Sequence, residues 1–247
     1  MKKSIGIIGG MGPEATADLF RKIIAATDAT HDQDHLRIYI DDHPQIPDRI
    51  APILAEAAGR VPDTPDPLPA MAESARKLES CGADLLAIAC ITAHYYLPRL
   101  RPLVQTPFID MMEQTALAGA ARFPGQKAGL LCSSATAKSG ILPHALDAAG
   151  VAWLAAKPAD QDTLSQLILD IKAQRNQDTL WQRFAPILQD MRQRGADYFI
   201  LGCTELPILA SYGEMPLPCL DATDILARAI VRACGYPLRT HSDNSQI

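Results

Sequence analysis

Two stretches, GADLLAIACITAH at 82–94 and GADYFILGCTELP at 195–207, decide how this chain folds. Each opens on a glycine suited to a helix end and runs through a mostly apolar segment. Each then reaches a cysteine eight positions after that glycine, Cys90 or Cys203. A threonine follows soon after each sulfur, Thr92 and Thr204. Short apolar runs bounded like this read as buried strands, and a buried strand that ends on a thiol calls for an explanation.

Outward from these segments, strand-like runs alternate with helical patterns, which is the signature of parallel βα units. Strands are expected at 4–9, 37–41, 84–89, 107–110, 127–132, 151–156, 198–202 and 218–221. Between them, EATADLFRKIIAATDA, PAMAESARKLES, TLSQLILDIKA and DTLWQRFAPILQDMRQ space their apolar residues helically. DATDILARAIVRA, starting at Asp221, reads as a closing helix, VPDTPDPLP (61–69) as a surface loop, and the tail RTHSDNSQI as frayed.

The repetition extends past the two quoted stretches. TPFIDMMEQTA follows the first and LPCLDATDILA the second, each an apolar run ending on an aspartate (Asp110, Asp221). Upstream, GIIGGMGPEAT (6–16) and GLLCSSAT (129–136) both read as strand, small-residue loop and a threonine entering a helix. Three correspondences in one order indicate an internal duplication. The expected architecture is α/β, with two pseudo-symmetric lobes, each a parallel sheet flanked by helices. The first lobe would hold 1–104 plus 215–247 and the second 105–214.

Composition narrows the partners. With 247 residues, 48% of them hydrophobic, the chain can bury a sizeable core. A net charge of −5 disfavours nucleic acid, which wants clustered Lys and Arg. No window holds about 18 consecutive apolar residues, as a membrane-spanning helix needs. The apolar run in MKKSIGIIGGMGPEA breaks too early at Gly9 and Gly10 for a signal peptide, so a cytoplasmic protein is expected. The six cysteines, at 81, 90, 132, 203, 219 and 234, form no CxxC pair and match no zinc or disulfide framework.

Duplication gives the two thiols a chemical meaning. Ligands of open parallel sheets bind beyond the carboxyl ends of the strands, where Cys90 and Cys203 fall. If the lobes face each other, the two sulfurs occupy opposite walls of a cleft. Inverting a carbon acid needs a base on one face and an acid on the other, and a thiolate and a thiol can exchange these roles. A free thiol near pKa 8.5 is a weak base at neutral pH, and a helix N-terminus or a nearby cation lowers it.

At these residues the chain resembles the aspartate/glutamate racemase family of cofactor-independent amino-acid racemases, over nearly its whole length. IGIIGGMGPEAT, HPQIPDR (43–49), the CxTAH of Cys90 to His94, the DIK around Lys172 and GCTELP (202–207) carry the resemblance. It implies Cys90 and Cys203 as the acid/base pair and a dicarboxylic amino acid as substrate, with neither pyridoxal phosphate nor metal. Enzymes of this kind often dimerise, so a homodimer is an expected state.

Other roles follow from the substrate's charges and the motif matches. The turn through Met11 and Gly12 either brings backbone N–H groups to a carboxylate or simply closes strand onto helix. Arg49 matches the family's carboxylate-binding arginine, or else forms a rim salt bridge. Lys172 is a substrate-facing cation by motif and a solvated lysine by default. Thr92 and Thr204 are helix caps, substrate donors or both, and Glu205 tunes Cys203, orients the substrate ammonium or is ordinary first-turn chemistry. Ser133 and Thr136 line the second glycine-loop equivalent, while His94 packs near the Cys90 loop.

The chain departs from the family at Ile91, where an Asn usually follows the first cysteine, and at Leu142, where a Tyr is common. Ile91 therefore points to an altered substrate. Competing readings are a maleate isomerase-like or arylmalonate decarboxylase-like enzyme, and a binding protein that has lost activity. A decarboxylase would need only one thiol. GGMGPEA is not the GxGxxG of a dehydrogenase.

Overall fold

Strand and helix alternate from β1 (Ile5–Gly9) to the helix Ala222–Ala233 in a computed structural model that describes residues 2–240. The tail from 241, expected to fray, lies outside the described residues. The chain divides into two compact units, one running to Gln114 and resuming at Thr223, the other spanning Thr115–Ala222.

In the first unit β1 is the middle strand of a parallel sheet with order β2-β1-β3, where β2 is Ile38–Asp42 and β3 is Leu85–Ile88. The second unit repeats the plan with β4 (Ala128–Cys132), β5 (Trp153–Ala155), β6 (Tyr198–Gly202) and β7 (Cys219–Asp221) in the order β5-β4-β6-β7, again parallel. Every residue of β1, β3, β4 and β6 is buried. That is why these strands read as continuous apolar runs and show no alternation. Truncating Phe199, wholly buried in β6, would cost about 3–5 kcal/mol by the usual cavity penalty.

The GAD segments do the same job twice. Helix Leu68–Ser80 ends with Gly82 at φ 87°, its N–H bonded to Glu79 O at 2.9 Å and the next N–H, of Ala83, to Leu78 O at 3.2 Å. Helix Leu180–Gln193 ends with Gly195 at φ 91°, with Gly195 N–H on Arg192 O and Ala196 N–H on Met191 O, both at 3.0 Å. Only glycine adopts this left-handed corner cheaply, and the paired bonds use up otherwise orphaned carbonyls. The aspartate then latches the central strand. Asp84 accepts from Ser4 N–H at 2.8 Å, and Asp197 accepts from Lys127 N–H at 2.8 Å.

The expected strand at 107–110 is a single bridge, Leu86 to Phe108, with Leu86 N–H on Pro107 O and Ile109 N–H on Leu86 O, each 2.8 Å. In the second unit Phe199 N–H makes the matching 2.8 Å bond to Pro218 O, and there pairing continues as β7. The unit boundaries fall at 114/115 and 222/223, later than the expected 104/105 and 214/215, for a physical reason. The Phe108 bridge ties 105–110 to the first sheet, and β7 is hydrogen-bonded to β6, so residues 215–221 belong to the second unit and not the first. The segment after Thr223 returns to the first unit, where Cys234 O accepts from Lys3 N–H at 2.9 Å and Leu238 bridges Thr27. No helix among the described residues is long and apolar enough to cross a membrane.

Candidate active site

β1 delivers its chain into a turn that leaves almost no room. Gly10 takes φ 82°, and a Cβ there would lie 2.3 Å from the backbone of His43. Its N–H is held by Thr16 Oγ1 at 2.9 Å, so the GPEAT threonine closes the loop from inside the first helix, Pro13–Ala26. Met11 is buried, its peptide bond to Gly12 is cis, and Gly12 is half-buried at the helix start with no side chain capping it.

Arg49 folds back onto this turn. The Asp48 carboxylate beside it accepts from Ile50 N–H at 3.1 Å and Ala51 N–H at 2.9 Å, so it caps the helix Ile50–Ala57. The guanidinium donates to carbonyl oxygens of Ile46 (3.2 Å), Pro47 (3.1 Å) and Met11 (3.3 Å), and its Nε is buried without a hydrogen-bond partner among the described residues. Carbonyl dipoles orient a guanidinium without neutralising its charge. Among the described residues Arg49 makes these carbonyl contacts and no rim salt bridge. Its own backbone carbonyl accepts from Tyr96 Oη at 3.4 Å.

Cys90 follows β3, with Ala89 N–H bonded to Ile8 O at 2.9 Å, and keeps only 9% of its surface exposed. Ile91 (3%) is buried, as is Thr92 at the start of the short helical turn Thr92–Tyr96. His94 fixes this loop. Its Nδ1 lies 2.8 Å from Cys90 O, which can only accept, and its Nε2 lies 3.3 Å from Met111 N–H, which can only donate. Those partners require the neutral ring protonated on Nδ1. Burial also pushes the His94 pKa down, against the opposing pull of Asp110. His94 is therefore a strut between the cysteine loop and the next helix, Met111–Arg122.

In the second unit Ser133 caps the helix Ser134–Ser139. Its Oγ accepts from Thr136 N–H at 3.2 Å and lies 3.0 Å from Thr136 Oγ1, with both residues buried. Cys203 follows β6 with 9% exposure, the same as Cys90. Its surroundings differ. Cys203 Sγ donates to Glu205 Oε2 at 2.9 Å, Thr204 Oγ1 donates to the same oxygen at 3.0 Å, and Lys172 Nζ stands 3.4 Å from Glu205 Oε1. Burial drives the Cys203 pKa well above an ordinary thiol's, and the Glu205 charge adds to the rise while Lys172 opposes it. Cys203 rests as a thiol. Lys172, last residue of the helix Pro158–Lys172, is exposed at 37% and ion-paired with Glu205, so it is both solvated and partnered.

Two contacts were illegible in the sequence. The Met11 carbonyl under Arg49 joins residues 38 positions apart. Gln161, unremarked in the sequence, donates from Nε2 to Cys132 O at 2.8 Å and steadies the Ser133 loop from a helix 29 positions away. Neither carries a local signal, because each arises from two elements meeting in space.

Comparison with known proteins agrees with this architecture. Residues 8–230 match the family described as Asp/Glu/Hydantoin racemase, and the chain belongs to that family. It is an isomerase of the racemase type. It is 29% identical over 236 residues to the broad specificity amino-acid racemase RacX of Bacillus subtilis (strain 168), covering 92% of this chain and 96% of that one. It is also similar to the aspartate racemase of Picrophilus torridus, with 30% identity, 96% of each chain covered and a TM-score of 0.82. A glutamate racemase isoform from Bacillus anthracis, 19% identical with a TM-score of 0.64 over 94% of this chain and 83% of that one, shares the fold.

Proposed function

We propose that the protein racemises an amino acid, aspartate or glutamate in the first instance, by passing protons between the substrate α-carbon and the thiols of Cys90 and Cys203, without a cofactor. The observation that carries this reading is the doubled placement of the sulfurs. Each follows a strand paired in parallel with the first strand of its own sheet (β3 with β1, β6 with β4), each sits behind the same glycine-aspartate latch, and each is 9% exposed. In this mechanism one thiolate removes the α-proton, and the other thiol delivers a proton to the other face of the planar carbanion. For the second enantiomer the roles reverse.

Arg49 supports an acidic substrate, because among the described residues its charge is met only by carbonyl dipoles. A substrate carboxylate would complete it with charge-assisted bonds. Backbone N–H groups near Met11 and Gly12, and the hydroxyls of Thr92, Thr204, Ser133 and Thr136, are the remaining candidates to hold the α-carboxylate and the ammonium. Lys172 and Glu205 serve as a paired charge beside Cys203, which leaves less of Lys172 for the substrate.

Ile91 favours a second reading, a racemase with a less polar substrate. Its side chain is buried, so no amide projects from this loop position. The similarity to a relative named as broad in specificity points the same way.

The deciding assay incubates each enantiomer of the common amino acids with enzyme in D2O and follows α-deuterium and optical rotation. Exchange with inversion on aspartate or glutamate is the expected result, and loss of inversion in both Cys90→Ala and Cys203→Ala completes it. Maleate or malonate turnover with inert amino acids would overturn the reading, as would wild-type inversion by either variant.

A further inference from the structure

A two-thiol racemase ends each turnover with its protons misplaced. After one enantiomer is converted, the sulfur that began as a thiol is a thiolate and the other is protonated. The free enzyme has to exchange these protons before it can accept the same enantiomer again. Both thiols are nine-tenths buried, so water does not reach them freely.

The second unit contains a continuous set of polar atoms leading away from one of these sulfurs. Cys203 Sγ is 2.9 Å from Glu205 Oε2, and Glu205 Oε1 is 3.4 Å from Lys172 Nζ, whose side chain is 37% exposed. Glu205 itself is 8% exposed, and Thr204 Oγ1 at 3.0 Å holds Oε2 in place. The corresponding position in the first unit, two residues after Cys90, is Thr92, which carries no ionisable group.

Resting on the racemase reading above, we infer that Glu205 is the relay through which Cys203 exchanges its proton with solvent between turnovers. The step balances within the protein. The S–H bond of Cys203 breaks as an O–H bond forms on Glu205 Oε2, giving a thiolate and a neutral carboxyl group. The carboxyl group then loses that proton from Oε2 to water, which restores the carboxylate that Lys172 pairs through Oε1. The reverse sequence recharges a Cys203 thiolate. Lys172 positions the carboxylate through its 3.4 Å contact with Oε1.

Free-enzyme exchange shows itself where substrate is plentiful. Once binding and chemistry are saturated with one enantiomer, resetting limits the net rate, and further substrate no longer raises it. A positioned acid/base group contributes about 100-fold or more to a proton transfer. Glu205→Gln is therefore expected to reset on the order of 100-fold more slowly, so saturation by resetting begins at far lower substrate than in wild type. kcat/KM, measured at low substrate, should fall much less. Added formate should restore the Gln variant's rate at high substrate, because a free carboxylate can take up the lost function. Glu205→Asp should lie between the two and ignore formate.

Wild type supplies an arm that needs no variant. Its rate at saturating substrate should not change with buffer concentration, since the relay is internal. Strong acceleration by buffer in wild type would mean that solutes reach Cys203 directly, and would overturn the inference. So would a Gln variant whose saturation behaviour matches wild type, or one that formate leaves unchanged. These failures differ from failure of the racemase reading, in which the cysteine variants themselves go on inverting.

Discussion

The Cys90 loop and the Cys203 loop share a scaffold and part company at the sulfur. Up to that point they match in the helix-ending glycine, the aspartate that latches the central strand, the buried parallel strand and the 9% exposure of the thiol. Beyond it, the first loop turns through Ile91 and Thr92 and is pinned by a neutral His94. The second sets the carboxylate of Glu205 against its thiol and pairs that carboxylate with Lys172. The features kept in duplicate are those a parallel sheet needs to start and stop its strands. The features that diverged are those that decide where a proton rests.

The largest effect should come from testing whether the two loops are equal partners. Cys90→Ser and Cys203→Ser are each expected to lower inversion by on the order of 1,000-fold, the scale of a lost acid/base group, as read by polarimetry. If one variant keeps most of its activity, the symmetry between the loops is structural only.

The next prediction concerns what separates them. Because burial and the Glu205 charge raise the Cys203 pKa, its thiolate becomes abundant only above the range of an ordinary thiol. Alkylation of Cys203 by iodoacetamide, followed by mass spectrometry, should be slow at neutral pH and climb with pH. Glu205→Gln removes a raising charge and should speed alkylation at a given pH, whereas Lys172→Met removes a lowering charge and should slow it. The opposite order would mean that the carboxylate does not govern the thiol.

Ile91 tests the first loop's specificity. Ile91→Asn should shift the ratio of kcat/KM between acidic and apolar amino acids toward the acidic ones. The expected shift is about 5- to 150-fold, corresponding to a hydrogen bond of about 1–3 kcal/mol. An unchanged ratio would remove Ile91 from any account of substrate choice. Some stability should also be lost, since the new amide enters a buried position.

The smallest effect belongs to the histidine strut. His94→Leu removes two hydrogen bonds and should destabilise the fold by about 2 kcal/mol, measured by urea unfolding at pH 8. The sign of the pH dependence follows from its lowered pKa. As pH falls below about 6.5, where the unfolded histidine takes up its proton, the folded ring stays neutral and the unfolded state gains. Wild-type stability should therefore drop through this window more steeply than that of His94→Leu. Parallel curves would show that His94 titrates alike in both states.

Much of this was legible in the chain itself. Continuous apolar runs between helical patterns dictate parallel strands covered on both faces, and the doubled GAD-to-cysteine spacing fixes the repeat, because strand and helix lengths are set locally. The same reading also overreached. PFID has the composition of a strand yet pairs through one residue, and β7 stays with its own sheet, because strand length and membership depend on which neighbour lies alongside.

The sequence by itself determined the alternation of strand and helix, the duplication and the two thiols at strand ends, since each follows from periodicity and short-range backbone chemistry. Only the tertiary structure decided that Arg49 faces the carbonyl oxygens of Ile46, Pro47 and Met11, that His94 is a neutral strut, and that Glu205 lies against one sulfur. Charge and protonation are fixed by atoms within a few ångströms, and those atoms come from parts of the chain that only folding brings together.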